Sequence, residues 1–168
     1  MKRLIVLVAH DVRSAHNVGS LLRTADGLGV FKVYLTGYTP YPAGKNDARL
    51  PHLAAKQDKQ ITKTSLGAEK SVKWEHTADI NGVLATLKSE DFEIVALEQT
   101  PDALVLHQFT PGCKVALVVG NEVDGLDAKT LAKVDKIIQI PMLGAKESFN
   151  VAQVAAMALY HLQYSVLA

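Results

Sequence analysis

Three short stretches concentrate polar and ionisable residues where an apolar run ends. They are "HDVRSAHNVGSLLRT" (10–24), "GNEVDGL" (120–126) and "PMLGAKESFN" (141–150). In open parallel α/β sheets, ligands gather just outside the carboxyl ends of strands, so these are the places where binding and catalytic groups are expected. The candidates are Asn17 and Arg23 in the first stretch, Glu122 in the second, and Ser148 and Asn150 in the third. Each also has a plain structural explanation. Asn17 suits the cap of the helix it precedes, and Ser148 and Asn150 suit the cap of the last helix. Arg23 suits a salt bridge, Glu122 a tight turn whose amides it binds, and Gly144 an ordinary turn. Yet a bare connection between a buried strand and a buried helix needs none of the chemistry packed into "GAKESFN".

Several chemistries are disfavoured. No Gly-x-Gly-x-x-Gly follows the first strand and no Walker-type lysine motif occurs, which argues against ordinary dinucleotide and P-loop sites. No Gly-x-Ser-x-Gly elbow is present, which weakens a hydrolase reading. The histidines lack metal-ligand spacing, and His10 and His16 read as incidental loop residues. Cys113 is the sole cysteine, so neither a disulfide framework nor a cysteine metal cluster is expected.

The elements that must position these groups alternate. "LIVLVA" is apolar without alternation, the pattern of a strand covered on both faces. Val18, Leu21, Leu22, Ala25 and Leu28 follow at helical spacing, with Gly29 to close the helix, and "FKVYL" is the next strand. A Gly- and Pro-rich loop, "TGYTPYPAGKNDARLP", precedes a basic, partly helical stretch. Further strands are expected at "VKW", "FEIVALE", "KVALVVG" and "KIIQIP", with helices over 79–88, "LDAKTLAKV" and 150–164. At 168 residues, 48% of them hydrophobic, the chain suits one domain spanning 1–168. The class expected is α/β, a mainly parallel sheet flanked by helices. No stretch approaches the ~20 apolar residues of a membrane span, no signal peptide is read, and a cytoplasmic location is expected.

A net charge of +1 conceals a polarised chain. Residues 1–73 hold 12 Lys and Arg against 5 Asp and Glu, and residues 74–168 hold 6 against 12, so +7 and −6 sum to +1. Such a chain can present a basic patch to a polyanion while remaining near neutral.

Taken together and in order, "HDVRSAHNVGSLLRTADGLGV", "ALVVGNEVDGLD" and "IIQIPMLGAKESFNVAQVAAMALY" resemble the three motifs of the SpoU/TrmH family of RNA 2′-O-methyltransferases, within the SPOUT superfamily. The resemblance implies a C-terminal trefoil knot, S-adenosyl-L-methionine held in that knot, and a homodimer. It implies an enzyme that methylates a ribose 2′-hydroxyl of tRNA or rRNA, with no metal and no membrane. Val119, Gly120, Ile140, Met142, Gly144, Ser148, Asn150 and Val151 would form the cofactor site, Gly144 allowing close approach of the chain. Arg23 would act near the target phosphate and hydroxyl, Asn17 would orient it or the ribose, and Glu122 would fix its turn and touch Arg23. Ser148 and Asn150 would complete the pocket. Many relatives carry Asn two residues before the first motif arginine, where this chain has Asp11 before Arg13; a pairing of Asp11 with Arg13 is expected. No RNA-binding extension is read, so the grip on RNA is assigned to Arg13, Arg23, Lys45, Arg49, Lys56, Lys59 and Lys63, with Tyr38 and Tyr41 to stack on bases. The alternatives are a non-catalytic RNA-binding protein on the same fold and a base-directed SPOUT methyltransferase.

Overall fold

The first strand, β1 (Leu4–His10), has five consecutive buried residues because both of its faces are covered. Ile5, Leu7 and Ala9 enter one hydrophobic cluster, while Val6 and Val8 enter a second on the opposite face. The computed structural model describes residues 3–44 and 47–165.

After β1 come helix α1 (Ala15–Gly27), β2 (Lys32–Thr36), α2 (Pro51–Ser65), the single turn α3 (Ala68–Ser71) and β3 (Trp74–Thr77). The chain continues through α4 (Ile80–Ser89), β4 (Glu93–Leu97), β5 (Leu104–Val105), β6 (Lys114–Val119), α5 (Ala128–Leu131), β7 (Lys136–Gln139) and α6 (Val151–Tyr164). All pairings among the seven strands are parallel, in the order β3-β2-β1-β6-β4-β7-β5. β6 inserts between β1 and β4, setting Leu7 beside Leu117, and β7 inserts between β4 and β5. The strand β5 has only two residues, too few to show a pattern in the sequence.

Helices α1, α2 and α6 pack on one face, and α4 covers the other. α6 buries Val151, Ala155, Ala158, Leu159 and Leu162, with Val154 partly buried beside them. α1 and α2 meet at Gly19, where a methyl group would collide with the Ile61 carbonyl and the Thr64 hydroxyl. Pro51 starts α2, where its missing N–H costs no helical bond. Buried Arg3 ties the molecule's lower end together. It donates to the carbonyls of Pro111 (3.0 Å) and Gly112 (2.7 Å), and to those of Leu162 and Ser165 at the end of α6. A cation there also complements the negative end of that helix.

Candidate active site

The carboxyl ends of β6, β4 and β7, three adjacent strands, open into a cavity of about 300 Å³. Leu97 and Gln99 come from the end of β4, Val119 and Gly120 from β6, and Gln139 and Ile140 from β7. Glu147, Ser148, Phe149, Val151 and Val154 close it from the last stretch and the start of α6.

The turn after β6 is built by Asn121, whose value the sequence reading missed. Its side-chain carbonyl accepts the N–H groups of Val123 (2.7 Å) and Asp124 (3.1 Å), a local turn made by an amide side chain. Its amide nitrogen donates to the Asp11 carbonyl (3.1 Å) and the Tyr38 hydroxyl (2.5 Å). The turn closes with Asn121 and Gly125 exchanging backbone hydrogen bonds. Gly125 needs its glycine because φ is +68° and the Glu98 carboxylate occupies the space of a Cβ; Gly120 needs its own because a Cβ would lie 2.7 Å from the Gly125 backbone. The glycine signal was visible in "GNEVDGL", but not the partner that each faces.

Glu122 is the hub. Its carboxylate accepts the N–H groups of Arg13 (2.9 Å) and Ser14 (3.1 Å) and the side-chain amide of Asn17 (2.7 Å). The Asn17 carbonyl oxygen in turn accepts from the Asn150 side chain (3.1 Å), and Asn150 accepts the Ala152 N–H (2.9 Å) as cap of α6. One hydrogen-bond chain therefore joins all three polar stretches. Burial works against ionisation of Glu122, but the N–H groups of Arg13 and Ser14 and the amide of Asn17 outweigh it and hold the carboxyl below its usual range.

Asn17 is not the cap of α1. Ser14 fills that position, its hydroxyl accepting the Asn17 N–H at 3.3 Å, which leaves the Asn17 side chain for Glu122 and Asn150. Arg23 lies exposed on α1, six residues and about 9 Å of rise beyond Asn17. It does not line the cavity of its own chain, and Glu122 takes backbone N–H groups rather than Arg23. Of the expected cofactor residues, Val119, Gly120, Ile140, Ser148 and Val151 line the cavity, while Met142, Gly144 and Asn150 do not. A Cβ on Gly144 would meet nothing within 4 Å, so no close approach occurs there. Asn150 faces Asn17 and its own helix instead.

Asp11 does not pair with Arg13. With φ of 54° it turns back to accept the Tyr38 N–H (3.0 Å) and lies 3.3 Å from His10, whose ring also meets the Thr36 hydroxyl (3.0 Å). His10 is thus the last residue of β1 and part of that turn, not an incidental loop residue. Arg49 and Tyr41 are committed inside the protein. The Arg49 guanidinium lies 3.5 Å above the Tyr41 ring, and it binds the Asp47 carboxylate, the Gln57 amide oxygen and the Tyr41 carbonyl. Tyr41 also stacks on His76, with ring centroids 3.9 Å apart, so both Arg49 and Tyr41 are engaged in contacts within the chain. Arg13, Lys56, Lys59 and Lys63 are exposed, the three lysines opposite the buried Ala54, Ile61 and Ser65 of α2, and Tyr38 is exposed too. Lys45 lies outside the described residues.

An open parallel sheet with a cavity at its switch of strand order, cradled by two glycines, defines a ligand-binding α/β domain. The chain belongs to the SpoU rRNA Methylase family, whose model matches residues 4–160. It is 29% identical over 155 residues to the 23S rRNA (guanosine-2′-O-)-methyltransferase RlmB of Neisseria meningitidis, covering 92% of this chain and 56% of that protein. With a tRNA (guanosine(18)-2′-O)-methyltransferase of Aquifex aeolicus it shares 30% identity over 159 residues, 95% of this chain and 68% of that protein. The crystal structure of the A. aeolicus TrmH/SpoU tRNA modifying enzyme superposes with a TM-score of 0.78 at 26% identity, covering 96% of this chain and 76% of that one. AviRb of Streptomyces viridochromogenes, solved with AdoMet, has the same fold at a TM-score of 0.79 and 22% identity, covering 96% of this chain and 57% of that one. The chain spans 56% to 68% of the length of the first three curated relatives it matches.

Proposed function

We propose that this protein is an S-adenosyl-L-methionine-dependent RNA methyltransferase that modifies a ribose 2′-hydroxyl of tRNA or rRNA. The observation that carries the reading is the chain Asn150–Asn17–Glu122, which links three separate stretches beside the cavity of a SpoU-family domain. The cavity fits the cofactor's chemistry. Leu97, Val119, Ile140 and Val151 offer apolar walls, and carboxylates meet a cationic ligand.

When bound, S-adenosyl-L-methionine would supply a methyl group activated on a sulfonium, leaving a neutral thioether. The protein's part is chiefly positioning. Glu122, held in its ionised form by its donors, is a weak base at neutral pH and serves to fix the start of α1 and Asn17. Arg23 carries a permanent charge, suited to hold the target phosphate and to stabilise charge rather than to accept a proton. Ser148 at the cavity wall would offer a hydroxyl to the bound cofactor. Arg13, Lys56, Lys59 and Lys63 supply the grip on RNA, with Tyr38 available for stacking. Segment 140–150 is read as the crossing of the trefoil knot. The protein acts as a homodimer, its face on the exposed stripe Met157, Tyr160 and Tyr164 of α6.

The test is transfer of labelled methyl from S-adenosyl-L-methionine to separated tRNA and rRNA, followed by nuclease digestion, for wild type and Arg23→Ala. Label in a ribose, reduced at least tenfold in the variant, is the expected result. Label on a base would refute the role given to Arg23, and cofactor binding with no transfer to any RNA would favour a binding protein on the same fold.

A further inference from the structure

We infer that the cavity selects its ligand by charge, with Glu98 setting a preference for the cationic methyl donor over the neutral thioether that remains after transfer. The inference rests on the methyltransferase reading above. It begins with the lining: Glu98, Glu122 and Glu147 contribute three carboxylates, and among the described residues no Lys, Arg or His lines the cavity. S-Adenosyl-L-methionine carries sulfonium, ammonium and carboxylate, a net charge of +1. The demethylated product keeps only the ammonium and the carboxylate and is neutral overall.

Of the three, Glu98 is the one fixed in place by the fold with charge to spare. It leaves the end of β4, and one of its oxygens accepts the Gln99 N–H (3.0 Å) while the other accepts the Leu126 N–H (2.9 Å). Each carboxylate oxygen retains capacity for another partner. Its position is set further by Gly125, whose missing side chain makes room for it. Two backbone N–H dipoles orient the group without neutralising it, and among the described residues no cation lies within ion-pair distance of Glu98. Glu122, by contrast, is spent on three donors, and Glu147 is exposed to water. A fixed charge in a partly enclosed site discriminates between ligands that differ by one charge by about threefold to a hundredfold, depending on how far water screens the pair.

Isothermal titration of the purified protein with S-adenosylmethionine, S-adenosylhomocysteine and sinefungin tests this without reference to turnover. Sinefungin carries an amine where the donor has its methylated sulfur, so it is cationic but transfers nothing. Wild type is expected to bind both cationic ligands at least about threefold more tightly than the thioether. In Glu98→Gln that ratio falls towards one, whereas Glu98→Asp, which keeps the charge, preserves a preference. A purely structural role for Glu98 would weaken all three ligands alike and leave the ratio unchanged, which would overturn the inference. Equal or tighter binding of the thioether by wild type would overturn it without any variant, should Glu98→Gln fail to fold. Binding of none of the three would remove the cofactor reading itself, and this inference with it.

Discussion

Glu122 shows how a residue with the makings of a catalytic base is turned into a fixed support. Two backbone N–H groups and one amide converge on its carboxylate, and they favour the charged form more than burial opposes it. The folded chain therefore holds the Glu122 proton less tightly than the unfolded chain does. Its stabilisation is full above the ordinary value of about 4.5 and is lost as pH falls through the lower folded value. Glu122→Gln keeps the shape but loses the charge, and it is expected to cost about 1–3 kcal/mol at pH 7. Urea unfolding at pH 7 and again below the ordinary carboxyl range should show the gap between wild type and variant closing in acid. A gap of the same size at both pH values would assign the loss to packing instead. Asn17→Ala should behave differently, weakening methyl transfer at any pH because it cuts the link between Glu122 and Asn150.

At the scale of elements, the contact of α1 with α2 depends on one missing methyl group. Gly19→Ala must push the helices apart, because the obstacle includes the Ile61 backbone carbonyl. A loss of about 1–3 kcal/mol is expected, read as a thermal midpoint lower by about 2–4 °C for each kcal/mol. α2 also separates two kinds of basic residue. Replacing Lys56, Lys59 and Lys63 together by Gln should reduce the slope of log binding constant against log salt for RNA by about 2–3. Arg49→Gln should leave that slope alone, since its guanidinium is held by Asp47, Gln57 and Tyr41. Its effect belongs to the loop between β2 and α2, which should become more open to limited proteolysis.

For the whole molecule, α6 faces two ways. One stripe is buried against the sheet, while Met157, Tyr160 and Tyr164 stay exposed, with the two tyrosine rings 4.8 Å apart. Large apolar and aromatic groups in a row on a helix are the makings of an interface core. Tyr160→Arg with Tyr164→Arg is expected to convert a dimer to a monomer in sedimentation velocity while the far-UV circular dichroism is unchanged. A wild-type protein that sediments as a monomer at micromolar concentration would remove the proposal. Among the described residues no helix is long and apolar enough to cross a membrane.

Much of this architecture was legible in the sequence because it follows from local pattern. Unbroken apolar runs marked β1 and β6 as strands covered on both sides, and the helical spacing of Val18, Leu21, Leu22, Ala25 and Leu28 marked the face that the first helix turns to the core, with Leu28 only partly buried. Motif order pointed to Asn17, Glu122 and Asn150 as members of one site. What spacing along the chain does not encode is which atoms face each other across 105 or 133 residues, the separations bridged by Asn17. Only the folded chain decided that Ser14, not Asn17, caps α1, that Asp11 turns to His10 and Tyr38, and that Arg49 is spent on its own loop. It also replaced Gly144 by Gly120 and Gly125 as the close-packed glycines, and brought Glu98 to the cavity. Residue type and period decide which elements form and which face is buried. The partners of a polar side chain depend on strand order, and here that order places β6 and β7 between strands laid down before them.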